Sequence, residues 1–218
     1  MMLMPVIVTG HLLGGMAVLA LLTWLSARLW YQGYQTDQAY QGRWAVAASG
    51  TAAQWLRRVA PLALALLACQ IALGGWVSTN YAAMACPDLP LCQGQFIPPM
   101  DLTHGFQLLR DLGKKADGEL LSLEALTAIH WMHRVAALAV VLLLGWFGSK
   151  LLKLGALRPL GIALLATLCL QVGIGLAVVA LQLPLPLAAA HNAGAALLLM
   201  TLVVINFHVF SRPAFTNI

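Results

Sequence analysis

Residues 125–152, ALTAIHWMHRVAALAVVLLLGWFGSKLL, decide the fold of this chain. About 20 apolar residues are enough for a helix to cross the hydrocarbon core of a bilayer, and this run exceeds that length. Its first third also holds His130, His133 and Arg134, at positions where a helix surrounded by lipid would carry apolar side chains. Ionisable residues are costly inside a membrane, so these three are candidates for a functional site.

The whole chain has the composition of a membrane protein. It contains 218 residues, of which 61% are hydrophobic and 9% are charged, whereas soluble domains carry about 25% charged residues. We predict an all-α polytopic membrane helical bundle with five transmembrane helices, at 5–30, 59–79, 125–152, 159–183 and 186–210. The net charge of +5 does not indicate a nucleic-acid partner, because no basic cluster is interleaved with aromatic residues.

These spans divide the chain into a first transmembrane helix (1–30), a cytoplasmic loop (31–58) and a four-helix bundle (59–218) with an outward loop (80–124). Basic residues favour the cytoplasmic side of a membrane. We therefore place the N-terminus and the 80–124 loop outside and the C-terminus inside, in a bacterial inner membrane. The inward set is Arg28, Arg43, Arg57, Arg58, Lys150, Lys153, Arg158 and Arg212, and the outward set is Arg110, Lys114 and Lys115.

Three histidines lie at similar depths in different spans. His11, His133 and His191 are each about five to eight residues inside the outward end of a helix, or roughly 8–12 Å at 1.5 Å per residue. Two neutral imidazoles that face each other across a bundle can hold a six-coordinate b-type haem, and we predict this role for His133 and His191. The simpler alternative for a lone membrane histidine is a hydrogen bond between helices. His208 lies near the inner end and belongs to another layer.

An internal repeat relates the second span to the fourth. The second contains QIALG (Gln70–Gly74) and the fourth contains QVGIG (Gln171–Gly175). Each is followed by a span with a histidine in its outer part, so the last four spans are two copies of one helix pair. The glycines permit close approach of a helix or a flat ring, although ordinary small-residue packing is the simpler interpretation. By the same pattern, the first span with His11 closes another four-helix unit.

Two of the four cysteines form the motif CPDLPLC, Cys86 to Cys92, in the outward loop. An oxidising compartment favours a disulfide between them. A zinc site with His104 is the weaker alternative, because two cysteines and one histidine make an incomplete ligand set. Cys69 and Cys169 fall in apolar spans, where we expect small buried side chains. The segment 96–109 looks amphipathic and is predicted to lie along the membrane surface.

Four segments together resemble the bacterial and mitochondrial haem A synthases. They are QIALGGWVSTNYAAMACPDLPLCQGQFIPPMD, GFQLLR, AIHWMHRVAAL and AAAHNAGAALLLM. The resemblance implies a fold with two similar four-helix halves and the oxidation of a methyl group of haem O to the formyl group of haem A. It further implies that His133 and His191 ligate a haem b, and that His11 is a catalytic residue at the substrate haem. His130 and Arg134 are additional candidates for contact with the cofactor.

This chain resembles the last five of the family's eight helices. The family's first His-Arg pair and its glutamate have no counterpart, and His130 stands where the equivalent glutamate would precede His133. We therefore expect no haem A formation by this chain alone. The partners to consider are haem O and haem A, membrane lipid, a second copy of the chain and a haem O synthase. The alternative functions are an electron-transfer membrane cytochrome b with the same ligands and a non-catalytic membrane assembly protein.

Overall fold

The computed structural model describes residues 4–33, 50–115 and 118–210, and this part of the chain contains helices and no strand. Five helices are long and apolar enough to cross a membrane. The predicted all-α fold with five spans is therefore confirmed. The helices are α1 Pro5–Gly33, α2 Gly50–Thr79, the short α3 Leu102–Gly105, α4 Leu123–Leu151, α5 Arg158–Ala180 and α6 Leu185–Phe210, with 3-10 turns at Ala82–Met84 and Gly155–Leu157.

Helix α2 begins at Gly50, well before the start of the apolar run at residue 59. Residues 50–58, which we assigned to a loop, are helical, because backbone hydrogen bonding does not require apolar side chains. Its first turns carry Arg57 and Arg58, and arginine is a good helix former. Residues 34–49 of the predicted loop lie outside the described residues.

Four of the five long helices form a closed ring. Helix α2 packs against α4, α4 against α5, α5 against α6, and α6 against α2. Helix α1 packs outside the ring against α2 and α6. Consequently α4 and α6 occupy opposite corners of the ring, and so do α2 and α5.

The two ends of the ring differ in packing. We call the end that carries residues 80–122 the loop end and the other the packed end. At the packed end, leucine and phenylalanine side chains from all four helices fill the interior. In a membrane such close van der Waals contact, rather than exclusion of water, holds helices together. The fully buried apolar side chains are Ala60 and Ala63 of α2, Leu144, Phe147 and Leu151 of α4, Leu164 of α5, and Leu198, Leu202 and Ile205 of α6.

The 80–122 segment is fastened to the bundle by buried polar contacts. The Trp76 indole N–H donates to the carbonyl of Gly105 at 2.9 Å. Arg110 is 3% exposed, stacks on Trp76 at 5.6 Å from the ring centroid, and donates to the carbonyls of Gly105, Gln107 and Lys114. Burial lowers the pKa of Arg110.

The predicted amphipathic surface segment is mostly irregular, with helix only at Leu102–Gly105. Asp101 begins this turn by accepting a hydrogen bond from the His104 backbone N–H at 3.1 Å. Phe96, Ile97 and Leu109 are more than 70% exposed. The segment thus presents apolar side chains outward, as we expected, without forming a long helix.

Candidate histidine site at the loop end

Each helix of the ring contributes one polar side chain to the interior of the loop end. They are Gln70 on α2, His133 on α4, Gln171 on α5 and His191 on α6. Each glutamine faces the histidine of its neighbour in the ring. The two histidines lie on opposite corners, and so do the two glutamines.

The imidazole of His133 is held by α2. The amide nitrogen of Gln70 lies 3.1 Å from His133 Nδ1 and 3.4 Å from its Nε2. The same amide nitrogen donates to the His133 backbone carbonyl at 3.2 Å. One turn further along α2, Gly74 leaves the space that the ring occupies, because a Cβ there would stand 3.3 Å from His133 Cε1.

The imidazole of His191 is held by α5 in the same way. The Gln171 amide nitrogen lies 3.3 Å from His191 Nε2. A Cβ on Gly175, again one turn further along, would stand 2.9 Å from His191 Cε1. A Cβ on Gly194, one turn after the histidine on α6, would overlap the Gln171 amide oxygen. The repeat in the sequence is therefore a repeat of contacts, and its glycines accommodate histidine rings.

The two imidazoles stand on α4 and α6, at opposite corners of the ring of helices. Several buried atoms around them have no hydrogen-bond partner, namely His191 Nδ1 and the amide oxygens of Gln70 and Gln171. Buried polar atoms are nearly always bonded, so a cluster of unbonded ones calls for an explanation. Two imidazoles with lone pairs available, on opposite helices of an apolar bundle, fit the axial ligand set of a haem.

Arg134 is committed to the disulfide loop. Its guanidinium donates to the carbonyls of Cys86 at 2.6 Å, Leu91 at 2.9 Å and Asp88 at 3.0 Å, and its Nε donates to His130 at 3.2 Å. These bonds use four of the five N–H donors of an arginine. Arg134, which we named as a candidate for contact with the cofactor, thus has one N–H left for such a contact and primarily anchors the loop to α4.

The loop that Arg134 anchors is closed by a disulfide between Cys86 and Cys92. Both cysteines are buried, at 0% and 2% exposure. Asp88 accepts from the backbone N–H groups of Gln93 at 2.7 Å and Gly94 at 2.8 Å. These bonds, that of Gly94 first, hold the pKa of Asp88 below its ordinary value. Within the described residues no group of three or more potential metal ligands occurs, which leaves the zinc alternative without support.

His130 and His104 lie apart from the paired histidines. His130 is 4% exposed and accepts the Arg134 bond at Nε2, while its Nδ1 has no hydrogen-bond partner. It lies beneath the disulfide loop. His104 is on the surface of the outward segment, where its Nδ1 is 2.6 Å from Asp101 Oδ2. Its backbone N–H and ring contact lower the pKa of Asp101.

His11 is not brought to the histidine pair. Helix α1 contacts α2 through Thr9 and Leu12, which approach Gly75, and Thr9 reaches the Thr79 hydroxyl at 3.4 Å. His11 itself lies on the exposed face of α1. Cys69 and Cys169 are likewise exposed, which corrects our expectation that they are buried. They face away from the ring, where the apolar character of a thiol suits lipid equally well.

Comparison with known proteins shows the family of this chain. A curated protein described as "Heme A synthase" from Shewanella oneidensis is 36% identical over 217 residues, which is 100% of this chain and 62% of that protein. The chain therefore spans less than two thirds of the length of this relative. No solved structure matches the chain. The family model of COX15-CtaA, described as cytochrome oxidase assembly protein, matches residues 1–203. The chain belongs to the COX15-CtaA family of membrane proteins for cytochrome oxidase assembly.

Proposed function

We propose that this chain acts in haem A synthesis, in which a methyl substituent of haem O is oxidised to the formyl group of haem A for cytochrome oxidase biogenesis. The observation that carries the proposal is the pair of glutamine-bound histidines at opposite corners of the ring. Family membership supplies the reaction type, and the histidine pair supplies a place for haem within this chain.

His133 and His191 are the proposed axial ligands of a resident haem b. When bound, such a haem would supply a one-electron carrier for the oxidation. The chain's own residues hold the two rings on rigid helices. The packed end below them, with Phe147 and Leu202 fully buried, keeps these helices at a fixed separation.

The disulfide loop is proposed to cover this site and to exclude water from it. Its attachment through Arg134 lies one residue along α4 from His133, so the position of the loop and that of the ligand are tied to the same turn of helix. Asp88 stiffens the loop from within by accepting two backbone bonds. His130 is proposed as a buried neighbour of the cofactor that also supports Arg134.

His11 is proposed as a ligand for the substrate haem O on the outer face of α1. Its exposure on that face separates it from the resident haem site. The two roles are separable by experiment: His11→Ala should keep the b-type haem of this chain. Loss of that haem in His11→Ala would contradict the assignment of His11 to the substrate haem.

The central experiment measures haem bound to this chain purified from a haem-replete bacterial host, by pyridine haemochrome spectra and analysis of the extracted haems. We expect a b-type signal that is lost in His133→Ala and in His191→Ala. The matched control is His208→Ala, which removes a histidine of α6 at the packed end. Retention of haem in either ligand variant would reject the ligand assignment.

The same preparation separates the alternatives. A redox-active haem in a protein that never converts haem O, even in the presence of partner proteins, would favour an electron-transfer cytochrome b. A colourless purified protein would favour a non-catalytic assembly factor. The partners to test for this conversion are a haem O synthase and a second copy of the chain.

We further propose a bacterial inner-membrane location with the 80–122 segment outside. The described basic residues at the packed end, such as Arg57, Arg58, Lys150 and Lys153, outnumber those of the outward segment, which supports this orientation. In a background with Cys69 and Cys169 replaced by alanine, a membrane-impermeant thiol reagent should label Leu108→Cys in intact cells and leave Lys153→Cys unlabelled. The reverse pattern would invert the topology.

A further inference from the structure

We propose that Gln70 and Gln171 are positioning residues, each of which fixes the tautomer and the orientation of one haem-ligating imidazole. This inference rests on the proposed function of His133 and His191 and deepens it. It assigns a role to the two glutamines, which neither touch the reacting atoms nor serve as iron ligands.

The first argument is that a similar glutamine–histidine contact is built twice from different chain connections. Gln70 and His133 are 63 residues apart, whereas Gln171 and His191 are 20 residues apart. Nevertheless, in both pairs an amide nitrogen faces a ring nitrogen within 3.3 Å, and a glycine one turn later faces Cε1 of the same ring. The sequence repeat is thus accompanied by a repeated glutamine–histidine contact, although the connections between the paired helices differ in length.

The second argument is that the glutamine oxygens lack partners. The amide oxygens of Gln70 and Gln171 are both buried without a hydrogen bond. Burying an unbonded polar atom is unfavourable, so the two carboxamides have an unmet acceptor capacity at equivalent places. The amide nitrogens lie against the rings, so the oxygens reach the imidazoles by half a turn of the carboxamides.

The position of the proton on each histidine ring determines what the glutamine oxygens can accept. In the structure each amide nitrogen donates towards one ring nitrogen of its histidine. That ring nitrogen therefore holds a lone pair, and the other nitrogen of the same ring carries the proton. An iron ligand needs its lone pair on the nitrogen that faces the metal, and the remaining N–H then needs an acceptor. Half a turn of the carboxamide exchanges nitrogen for oxygen at nearly unchanged shape. At Gln70 this turn gives up the bond to the His133 backbone carbonyl in favour of one from the ring N–H. The unpaired oxygen then accepts the ring N–H.

Glycines provide space for the amide of Gln171 as well as for the ring of His191. Gly194 on α6 adjoins the Gln171 oxygen so closely that a Cβ there would overlap it. His191, Gln171 and two glycines thus form one compact unit between α5 and α6. A glutamine that served only to fill volume would not require a glycine opposite its polar end.

The test replaces each glutamine by leucine and by glutamate and measures haem affinity, midpoint potential and the low-spin electron paramagnetic resonance spectrum. The full-length chain is used, with Gln54→Leu as the matched control because Gln54 is an exposed glutamine on the same helix as Gln70. Loss of an outer hydrogen bond to a ligand typically weakens metal binding by about 10- to 100-fold. We expect that loss in Gln70→Leu and Gln171→Leu.

The midpoint potential separates positioning from packing. Leucine removes the acceptor, makes the imidazole a weaker donor and should raise the potential. Glutamate is a stronger acceptor, makes the imidazole more basic and should lower it. Shifts of opposite sign in Leu and Glu variants, with none in Gln54→Leu, support the inference. Where a leucine variant does not accumulate, a lowered potential in the glutamate variant still supports it, and an unchanged potential overturns it.

The outcomes also distinguish this inference from the proposed function. If His133→Ala or His191→Ala retains haem, the proposed function fails. If both histidine variants lose haem while all glutamine variants keep the wild-type potential and spectrum, only the positioning role of the glutamines is overturned.

Discussion

Replacing Gly175 by alanine tests how closely the histidine of α6 must approach α5. The Cβ of alanine would stand 2.9 Å from His191 Cε1, whereas carbon atoms pack best at about 3.5–4.0 Å. The ring or the helix must therefore move by roughly 0.6 Å or more. At Gly74 the corresponding distance is 3.3 Å, and the required shift is only about 0.2 Å.

From these displacements we expect Gly175→Ala to lose more haem affinity than Gly74→Ala. Functional geometry tolerates about 0.5 Å, so Gly175→Ala exceeds the tolerance and Gly74→Ala does not. Overpacking of this kind costs about 1–3 kcal/mol, which corresponds to about a 5- to 150-fold loss in haem affinity. Gly173→Ala, on the same helix with nothing within 4 Å of its Cβ, should bind haem as the wild type does.

The assay is titration of haem into each purified apoprotein in detergent, followed by absorbance, with thermal unfolding of the apoprotein in parallel. Alanine favours a helix over glycine by up to about 1 kcal/mol. In the apoprotein the His191 ring is free to turn aside, whereas iron ligation would fix it against α5. Gly175→Ala should therefore lose more haem affinity than apoprotein stability. Equal haem affinity in Gly175→Ala and Gly173→Ala would refute the argument that the glycine is required by the ring.

Three further predictions concern the outward loop. Arg134→Lys should lower the free energy of unfolding by about 2–3 kcal/mol, the scale of charge-assisted hydrogen bonds, because a lysine cannot reach three carbonyls at once; an unchanged thermal midpoint would contradict this. The Cys86–Cys92 disulfide should resist a water-soluble phosphine in the folded protein and react after unfolding, as read by alkylation and mass spectrometry, because both cysteines are buried; alkylation of the native protein would show otherwise. The backbone N–H groups that lower the pKa of Asp88 below 3.8 stabilise the loop fully above that value, and the stabilisation disappears as the pH falls through the lower folded-state pKa. The acid-induced drop in thermal midpoint should therefore be smaller in Asp88→Asn than in the wild type, and an equal drop would exclude the contribution.

The five spans followed from the sequence because a membrane leaves few choices to the backbone. Inside lipid each peptide group must find its partner within the segment, so a long apolar run is almost always a helix. Helix ends were less certain. The start of α2 at Gly50 lies among alanine and other small residues, where no long apolar run marks the helix start and only the hydrogen-bonding pattern decides.

The site was only partly predictable. The histidines and the Gln-Gly repeat were visible as patterns, yet their contact joins different helices and depends on how the ring of helices closes. The Gln-x-x-x-Gly motif that precedes each of the two histidines in the sequence was the signal for this contact. The role of Arg134 was harder to predict, because its partners are backbone carbonyls up to 48 residues away. Every residue has a backbone carbonyl, so the residue type does not indicate such a partner.

The division between the packed end and the loop end has a consequence for the order in which the protein is made. The leucine and phenylalanine contacts that join α2, α4, α5 and α6 involve none of the ligand residues. The polypeptide can therefore be inserted and its helices assembled before any porphyrin is available. Delivery of the proposed haem would then be a late, separate step of biogenesis, which a cell could regulate independently of translation.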